Sequence, residues 1–240
     1  MTEAVYGRTG FRYGWKKPFC FLRRGIYVLT IRHMRTAVIS DIHGNWDGLQ
    51  VALIDIESRN IDRIICLGDL VEGGECDDDV VEFIKSNNIV TVQGNHDEIN
   101  DCKIKPDNQT WLHQLPDIII EYDIIFTHIS PRSKRKKLDN NIEAWNVFDE
   151  VNFRVCFIGH NHFPALFSER HDAFGEACSY SVDYGQHYLD LTDRYIISFG
   201  AIGYPRGGGR FLRYGIFDSD KSVIEFIRLE GPLLPYGLCI

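Results

Sequence analysis

The chain has 240 residues, 44% of them hydrophobic and 25% charged, with a formal net charge of −8. That length can bury one sizeable core, and the composition is that of an ordinary globular protein. The acidic balance argues against a general nucleic-acid binder, and no apolar run reaches the length of a membrane span.

Residues 1–33 carry Arg8, Arg12, Lys16, Lys17, Arg23, Arg24 and Arg32 against a single acid, Glu3, with no hydrophobic period. The apolar stretch 26–31 is too short for a signal peptide and lacks a small-residue cleavage site. We read 1–33 as a basic N-terminal extension and 34–240 as one domain; a basic targeting arm is the other reading of the extension. Cysteines at 20, 66, 76, 102, 156, 178 and 239 form no C-x-x-C pair. An unpatterned set of this kind reads as reduced thiols in a cytoplasmic protein.

The first strand is expected at 37–40, an apolar run suited to burial on both faces. It stops at Asp41-Ile42-His43-Gly44-Asn45, which is turn chemistry. Side chains alternate along a strand, so Asp41 and His43 leave its tip on the same side. A carboxylate beside a neutral imidazole is half a shell for a divalent transition metal. Residues 46–59 then show helical spacing, with apolar side chains at 46, 49, 53, 54 and 56. A second strand at 61–67 closes in Gly68-Asp69, and 77–85 reads as a helix whose first-turn acids suit its positive end. A third strand at 89–92 closes in Gly94-Asn95-His96-Asp97. Strands and helices in this alternation make a βαβ series, whose ligands bind beyond the carboxyl ends of the strands.

Residues 109–114 read as the end of a helix stopped by Pro116. Strands at 118–121 and 124–127 turn at Tyr122-Asp123, and the second ends in His128. A basic run, 132–137, precedes a short helix at 141–148. The buried strand 155–158 ends in Gly159-His160-Asn161-His162. The remainder reads as β-rich, with strands at 165–168, 188–191, 195–199, 211–217 and 223–229. Residues 170–187 are polar and irregular and receive no assignment.

Five strands therefore end in potential ligands, in order, each with a glycine or another turn residue nearby. Asp41-x-His43, Gly68-Asp69, Gly94-Asn95-His96-Asp97, His128 and Gly159-His160-x-His162 resemble the D-x-H, G-D, G-N-H-D/E, H and G-H-x-H motifs of the calcineurin-like metallophosphoesterases. The resemblance runs from about residue 34 to about 229 and includes 198–206, similar to that family's N-P-G-S-x-G-x-P-R segment. It looks most like the small phosphodiesterase and diadenosine-tetraphosphatase-like branch.

The resemblance implies a four-layer α/β/β/α sandwich of two mixed β-sheets, with a dimetal site at the sheet edge. It places Asp41, His43 and His162 on one divalent ion and Asn95, His128 and His160 on the other, with Asp69 bridging. The donors agree, since His and Asp suit Mn, Fe, Zn, Ni or Co, among which we favour Mn. A shared carboxylate also suits two ions about 3.5–4 Å apart. By the same resemblance a metal-bridging hydroxide attacks phosphorus and His96 protonates the leaving oxygen. Glu72 falls where the family's protein Ser/Thr phosphatases carry the acid that orients this histidine. Those phosphatases read G-D-x-V-D-R-G, and Gly73 stands here in place of their phosphate-gripping Arg.

Candidate substrate contacts are Asn45, Arg132 with the rest of its basic run, and Arg206. Trp46 and Tyr204 suit either stacking on a base or packing. The expected activity is hydrolysis of a phosphodiester or phosphoanhydride in a small phosphorylated substrate, a nucleotide among the options. The competing activities are phosphomonoester or phosphoprotein hydrolysis. A non-catalytic scaffold on the same fold, like the retromer-type vacuolar sorting subunit, would have lost ligands or the acid.

Overall fold

In the computed structural model the described residues are 34–99, 101–172, 174–204, 206, 211–232 and 234. The basic extension read at 1–33 lies outside them. Twelve strands and five helices follow in chain order among the described residues. The first half comprises β1 (Arg35–Ile39), α1 (Trp46–Glu57), β2 (Arg63–Cys66), α2 (Asp77–Ser86), β3 (Val90–Thr91), α3 (Asn95–Glu98) and α4 (Pro106–Leu112). Then come β4 (Ile118–Glu121), β5 (Ile124–Thr127), α5 (Asn141–Glu150), β6 (Val155–Ile158), β7 (Pro164–Ser168) and β8 (Cys178–Tyr180). The chain closes with β9 (Gly185–Tyr188), β10 (Tyr195–Phe199), β11 (Phe211–Asp218) and β12 (Val223–Glu230).

The strands form two six-stranded sheets, ordered β3-β2-β1-β11-β12-β9 and β4-β5-β6-β10-β7-β8. Both are mixed. β1, β2 and β3 run parallel, as do β5, β6 and β10, while β11, β12 and β7 join antiparallel.

Period-two alternation explains why the sheets stack with helices outside. In β1, Val38 faces the second sheet while Ala37 and Ile39 lie under the helices. In β2 and just beyond it, Ile65 and Leu67 face inward while Ile64 and Cys66 face outward. β6 does the same with Val155 and Phe157 inside and Cys156 and Ile158 outside. Three apolar layers result. The central one joins the sheets through Phe126, Phe157, Phe199, Phe217 and Phe226. One outer layer seats α1 and α2 through Leu49, Leu53, Ile56, Val80 and Ile84, and the other seats α5 through Ala144, Val147 and Phe148. Helix, sheet, sheet, helix is the four-layer order expected.

Besides the four-residue α3, which stands where only a turn was expected, two strands differ from expectation. The strand expected at 188–191 lies instead at Gly185–Tyr188, paired with β12 from Val223 to Phe226. Asp190 turns the chain away by accepting the Thr192 N–H, and Leu191 is exposed. The unassigned stretch also contains β8. Both are sheet-edge strands held by backbone pairing, so they carry no alternating apolar signal.

Candidate metal centre

Parallel pairing brings the carboxyl ends of β1, β2 and β3 to one edge, facing those of β5, β6 and β10. Backbone hydrogen bonds then stitch the strand-end turns together. The N–H groups of Ile42 and His43 donate to Asp69 O, that of Gly44 donates to Leu70 O, and that of Gly203 donates to Asp41 O. Across the sandwich, the His160 N–H donates to Asp41 Oδ1 at 3.0 Å. Asp41, His43, Asp69, His160 and His162 all have φ between 51° and 64°, the left-handed region. For non-glycine residues this costs about 1–2 kcal/mol each, so the surrounding turns hold a strained backbone that aims these side chains inward. Gly94 serves the same packing, because a Cβ there would overlap both Oδ1 and the backbone nitrogen of Asp69.

Two clusters of donor atoms share Asp69. In the first, His162 Nε2 lies 3.2 Å from Asp41 Oδ1 and 3.2 Å from His43 Nε2, which is itself 3.8 Å from Asp69 Oδ2. In the second, His128 Nε2 lies 3.0 Å from Asp69 Oδ2, His160 joins them, and its Nδ1 lies 2.8 Å from Asn95 Oδ1. All seven residues assigned to ions by resemblance thus converge, although the first and last are 121 positions apart in the numbering (162 − 41).

Outer partners fix how the rings present themselves. His128 Nδ1 lies 2.6 Å from Leu67 O and His162 Nδ1 lies 2.7 Å from Tyr204 O. A carbonyl only accepts, so each Nδ1 carries a proton and each Nε2 is the nitrogen that faces the cluster. His128 Nε2 is buried and makes no aligned hydrogen bond despite its closeness to Asp69. Convergent buried ring nitrogens with two carboxylates and no thiolate fit divalent cations of the Mn, Fe, Zn, Ni and Co kind.

The electrostatics follow from this crowding. Burial opposes ionisation of Asp41, yet His162 and His128 hold its pKa below the ordinary value. Asp69 is likewise driven down by His128 against burial. Burial would lower His128, but Asp69 raises it to about 9. Burial and the nearby His128 push His160 down to about 4. Near neutral pH the array therefore pairs anionic carboxylates with a cationic His128 and a neutral His160, and a bound cation would displace the His128 proton.

Glu72 and His96 sit at the rim of the first cluster, with Glu72 Oε2 2.9 Å from His96 Nδ1 and 2.7 Å from His43 Nδ1. The expected substrate contacts are placed differently. Asn45 is buried and caps α1, accepting the Gly48 N–H and donating to Ile202 O and Pro232 O. Arg132 is buried too, its guanidinium bound by Glu150 at 2.6 and 2.8 Å and by Glu143 at 2.9 Å. Arg132 nonetheless lines the same pocket as His128. Arg206 is adjacent to the ligand cluster, since its N–H donates to His162 O.

Two contributors, Asp97 and Asp77, received no role from the sequence, and Tyr204 was left between stacking and packing. The Asp97 carboxylate accepts the N–H groups of Asp69, Leu70 and Gly94 at 2.8, 2.8 and 2.9 Å. Its place at the end of Gly94-Asn95-His96-Asp97 was the available signal. Asp77 accepts from the backbone of Glu72 and Gly73, holding the loop that carries Glu72, and no local pattern marks it. Tyr204 lies with its ring 5.2 Å from that of His43, forming one wall.

Comparison with known proteins agrees with this architecture. Residues 34–222 match the calcineurin-like phosphoesterase superfamily domain. The chain is 34% identical over 220 residues to an uncharacterized protein of Methanocaldococcus jannaschii, covering 81% of this chain and 86% of that protein. It superposes on a metallophosphoesterase from Sphaerobacter thermophilus with a TM-score of 0.74 and 29% identity, over 83% of this chain and 90% of that one. It shares its fold with a hypothetical protein from Pyrococcus horikoshii OT3 at a TM-score of 0.58 and 15% identity, over 82% and 88% of the two chains. Because the family match runs from β1 to the turn before β12 and takes in every turn that carries one of the clustered donors, this chain belongs to the calcineurin-like phosphoesterase superfamily.

Proposed function

We propose that this protein is a dinuclear metal-dependent hydrolase of a phosphodiester or phosphoanhydride. The observation that carries the reading is the position of the Asp69 carboxylate, common to two donor clusters at the edge of the sandwich. Asp41, His43 and His162 would hold one ion, Asn95, His128 and His160 the other. Two such ions supply Lewis acidity toward phosphoryl oxygens and a water acidic enough to react near neutral pH.

The residues around them do the rest. The Glu72 carboxylate, 2.9 Å from His96 Nδ1, would orient the ring so that the imidazolium form gives its Nε2 proton to the leaving oxygen and becomes neutral. The cations near the site favour a substrate of low charge. Arg132 is bound by two glutamates, Arg135 pairs with Glu98, Lys136 with Glu143 and Lys137 with Asp139. A phosphomonoester dianion asks for more positive charge than a diester does, and Gly73 adds none. Of the expected substrate contacts we retain Arg206, whose buried Nε has no hydrogen-bond partner. A small phosphorylated molecule, a nucleotide among the options, remains the substrate class. We take Mn as the ion to try first. The described cysteines are free thiols, which supports a cytoplasmic setting. No described helix is long and apolar enough to cross a membrane.

The scaffold alternative does not require a complete donor set with His96 beside it, and both are present. Hydrolysis of an aryl phosphodiester and an aryl phosphomonoester, each with Mn or with chelator, tests the proposal. Metal-dependent turnover of the diester, lost in Asp69→Asn, is expected. Preference for the monoester would transfer the assignment to phosphatase, and two bound ions without turnover of either compound would favour the scaffold.

A further inference from the structure

We infer that Glu72 positions the ion held by Asp41, His43 and His162 as well as His96, so that retention of that ion and placement of the acid depend on one carboxylate oxygen. The inference rests on the dimetal reading above. Glu72 Oε2 lies 2.7 Å from Nδ1 of His43 and 2.9 Å from Nδ1 of His96. The two rings approach at 86°, with centroids 5.0 Å apart, and the oxygen serves both. His43 is buried and Glu72 largely so.

The 2.7 Å contact is an ion-pair approach without an aligned hydrogen bond, and the anion favours the tautomer with the His43 proton on Nδ1. That leaves Nε2 as a lone pair aimed at Asp69 and His162, the face where an ion would sit. In His128 and His162 the same outer position is taken by backbone carbonyls, those of Leu67 and Tyr204. Among these three rings His43 is the one with an anionic outer partner. A charged partner raises ligand basicity more than a carbonyl does, so the two half-sites are built unequally.

The carboxylate is also anchored. Asp77 Oδ2 accepts the Gly73 N–H at 2.7 Å, and both its oxygens lie 3.3 Å from the Glu72 nitrogen. The same Asp77 packs against Gly44, where a Cβ would overlap its Oδ1. Gly44 follows His43 in the chain. Asp77 therefore locks the loop bearing Glu72 onto the turn bearing His43, and the contact is built from both sides.

The test is Mn binding by the full chain, measured by chelator competition with metal analysis, for the unsubstituted protein, Glu72→Ala, Glu72→Gln and His96→Ala. One of the two dissociation constants should rise by about 10–100-fold in Glu72→Ala while the other stays constant. His96→Ala should leave both unchanged. Glu72→Gln, which keeps the volume and one acceptor, should fall between, and it carries the comparison if the alanine variant unfolds. Unchanged constants in both Glu72 variants, or an equal rise in both constants, would overturn the inference. Its failure is separable from that of the proposed function, because a protein that binds two ions and hydrolyses no phosphate ester loses the activity and keeps the Glu72 effect.

Discussion

Asp97 holds Asp69 by the backbone and not by the side chain: its Oδ2 accepts the Asp69 N–H at 2.8 Å and leaves the Asp69 carboxylate pointing at the histidines. The same carboxylate accepts from Leu70 and Gly94, so it ties the turn after β2 to the turn after β3. Replacing Asp97 with Ala would strand three buried N–H groups, each costing about 1–3 kcal/mol when unsatisfied. Allowing for relaxation, we expect a loss of about 3–5 kcal/mol in urea unfolding. Asp97→Asn, which keeps an acceptor oxygen, should lose less than half of that. An alanine variant with an unchanged midpoint would show that the clamp is not structural.

Bound ions should stabilise the fold. A cation that binds only the native state adds about 2.7 kcal/mol at a hundredfold excess over its dissociation constant. Mn should therefore raise the unfolding temperature of the protein and chelator should lower it. In Asp69→Asn most of that response should vanish, because the donor common to both clusters loses its charge and one of its two oxygens. An equal Mn shift in the variant would mean that Asp69 is not the shared ligand.

Gly94 tests how tightly the turns are packed. Its φ of −90° is open to any residue, so the cost of Gly94→Ala lies in the overlap with Asp69 alone. The turn can yield only by moving the Asp69 carboxylate and its backbone nitrogen. Loss of metal binding with a modest fall in stability, about 1–3 kcal/mol, is expected. Calorimetric titration of that variant with Mn is the check, and full binding would contradict the overlap.

Arg132 distinguishes a structural cation from a substrate contact. Its guanidinium ties the loop before α5 to Glu143 and Glu150 on that helix. Glu150 is substantially exposed, which weakens the pair, so Arg132→Met should cost about 1–2 kcal/mol and leave kcat/KM for a diester within about twofold. A hundredfold fall in kcat/KM at unchanged stability would return Arg132 to the substrate.

The histidines give a pH dependence whose sign is fixed. Burial disfavours the His128 cation, but Asp69 and Asp41 outweigh it and raise the pKa from 6.5 to about 9. A histidine pKa raised by folding contributes stability that is complete below 6.5 and is lost as pH rises through 9. Chelator-treated protein should thus melt at a lower temperature near pH 9.5 than near pH 7, a window of about three units around the shifted value. Saturating Mn should shrink or reverse that difference, since proton and cation compete for the same nitrogen. Melting curves in chelator that coincide across this range would contradict the shift.

The sequence by itself determined the parts of this protein whose signal is local. Strands at 118–121, 124–127, 155–158 and 195–199 fall where apolar runs place them, to the residue. The strand-end turns were legible as one potential site because parallel pairing carries every such end to one edge, and the family resemblance picked the seven ligand candidates from them. Only the tertiary structure decided the roles that depend on partners distant in the chain. Asn45 becomes a cap reaching Ile202 and Pro232, Arg132 a tie to Glu143 and Glu150, and Glu72 the shared neighbour of His43 and His96. β8 was missed and β9 placed too late in the chain for a related reason, as edge strands held by backbone hydrogen bonds that any sequence can make. A side chain's type limits what it can do, but its partner is chosen by the packing of segments that are neighbours only once the sheets have closed.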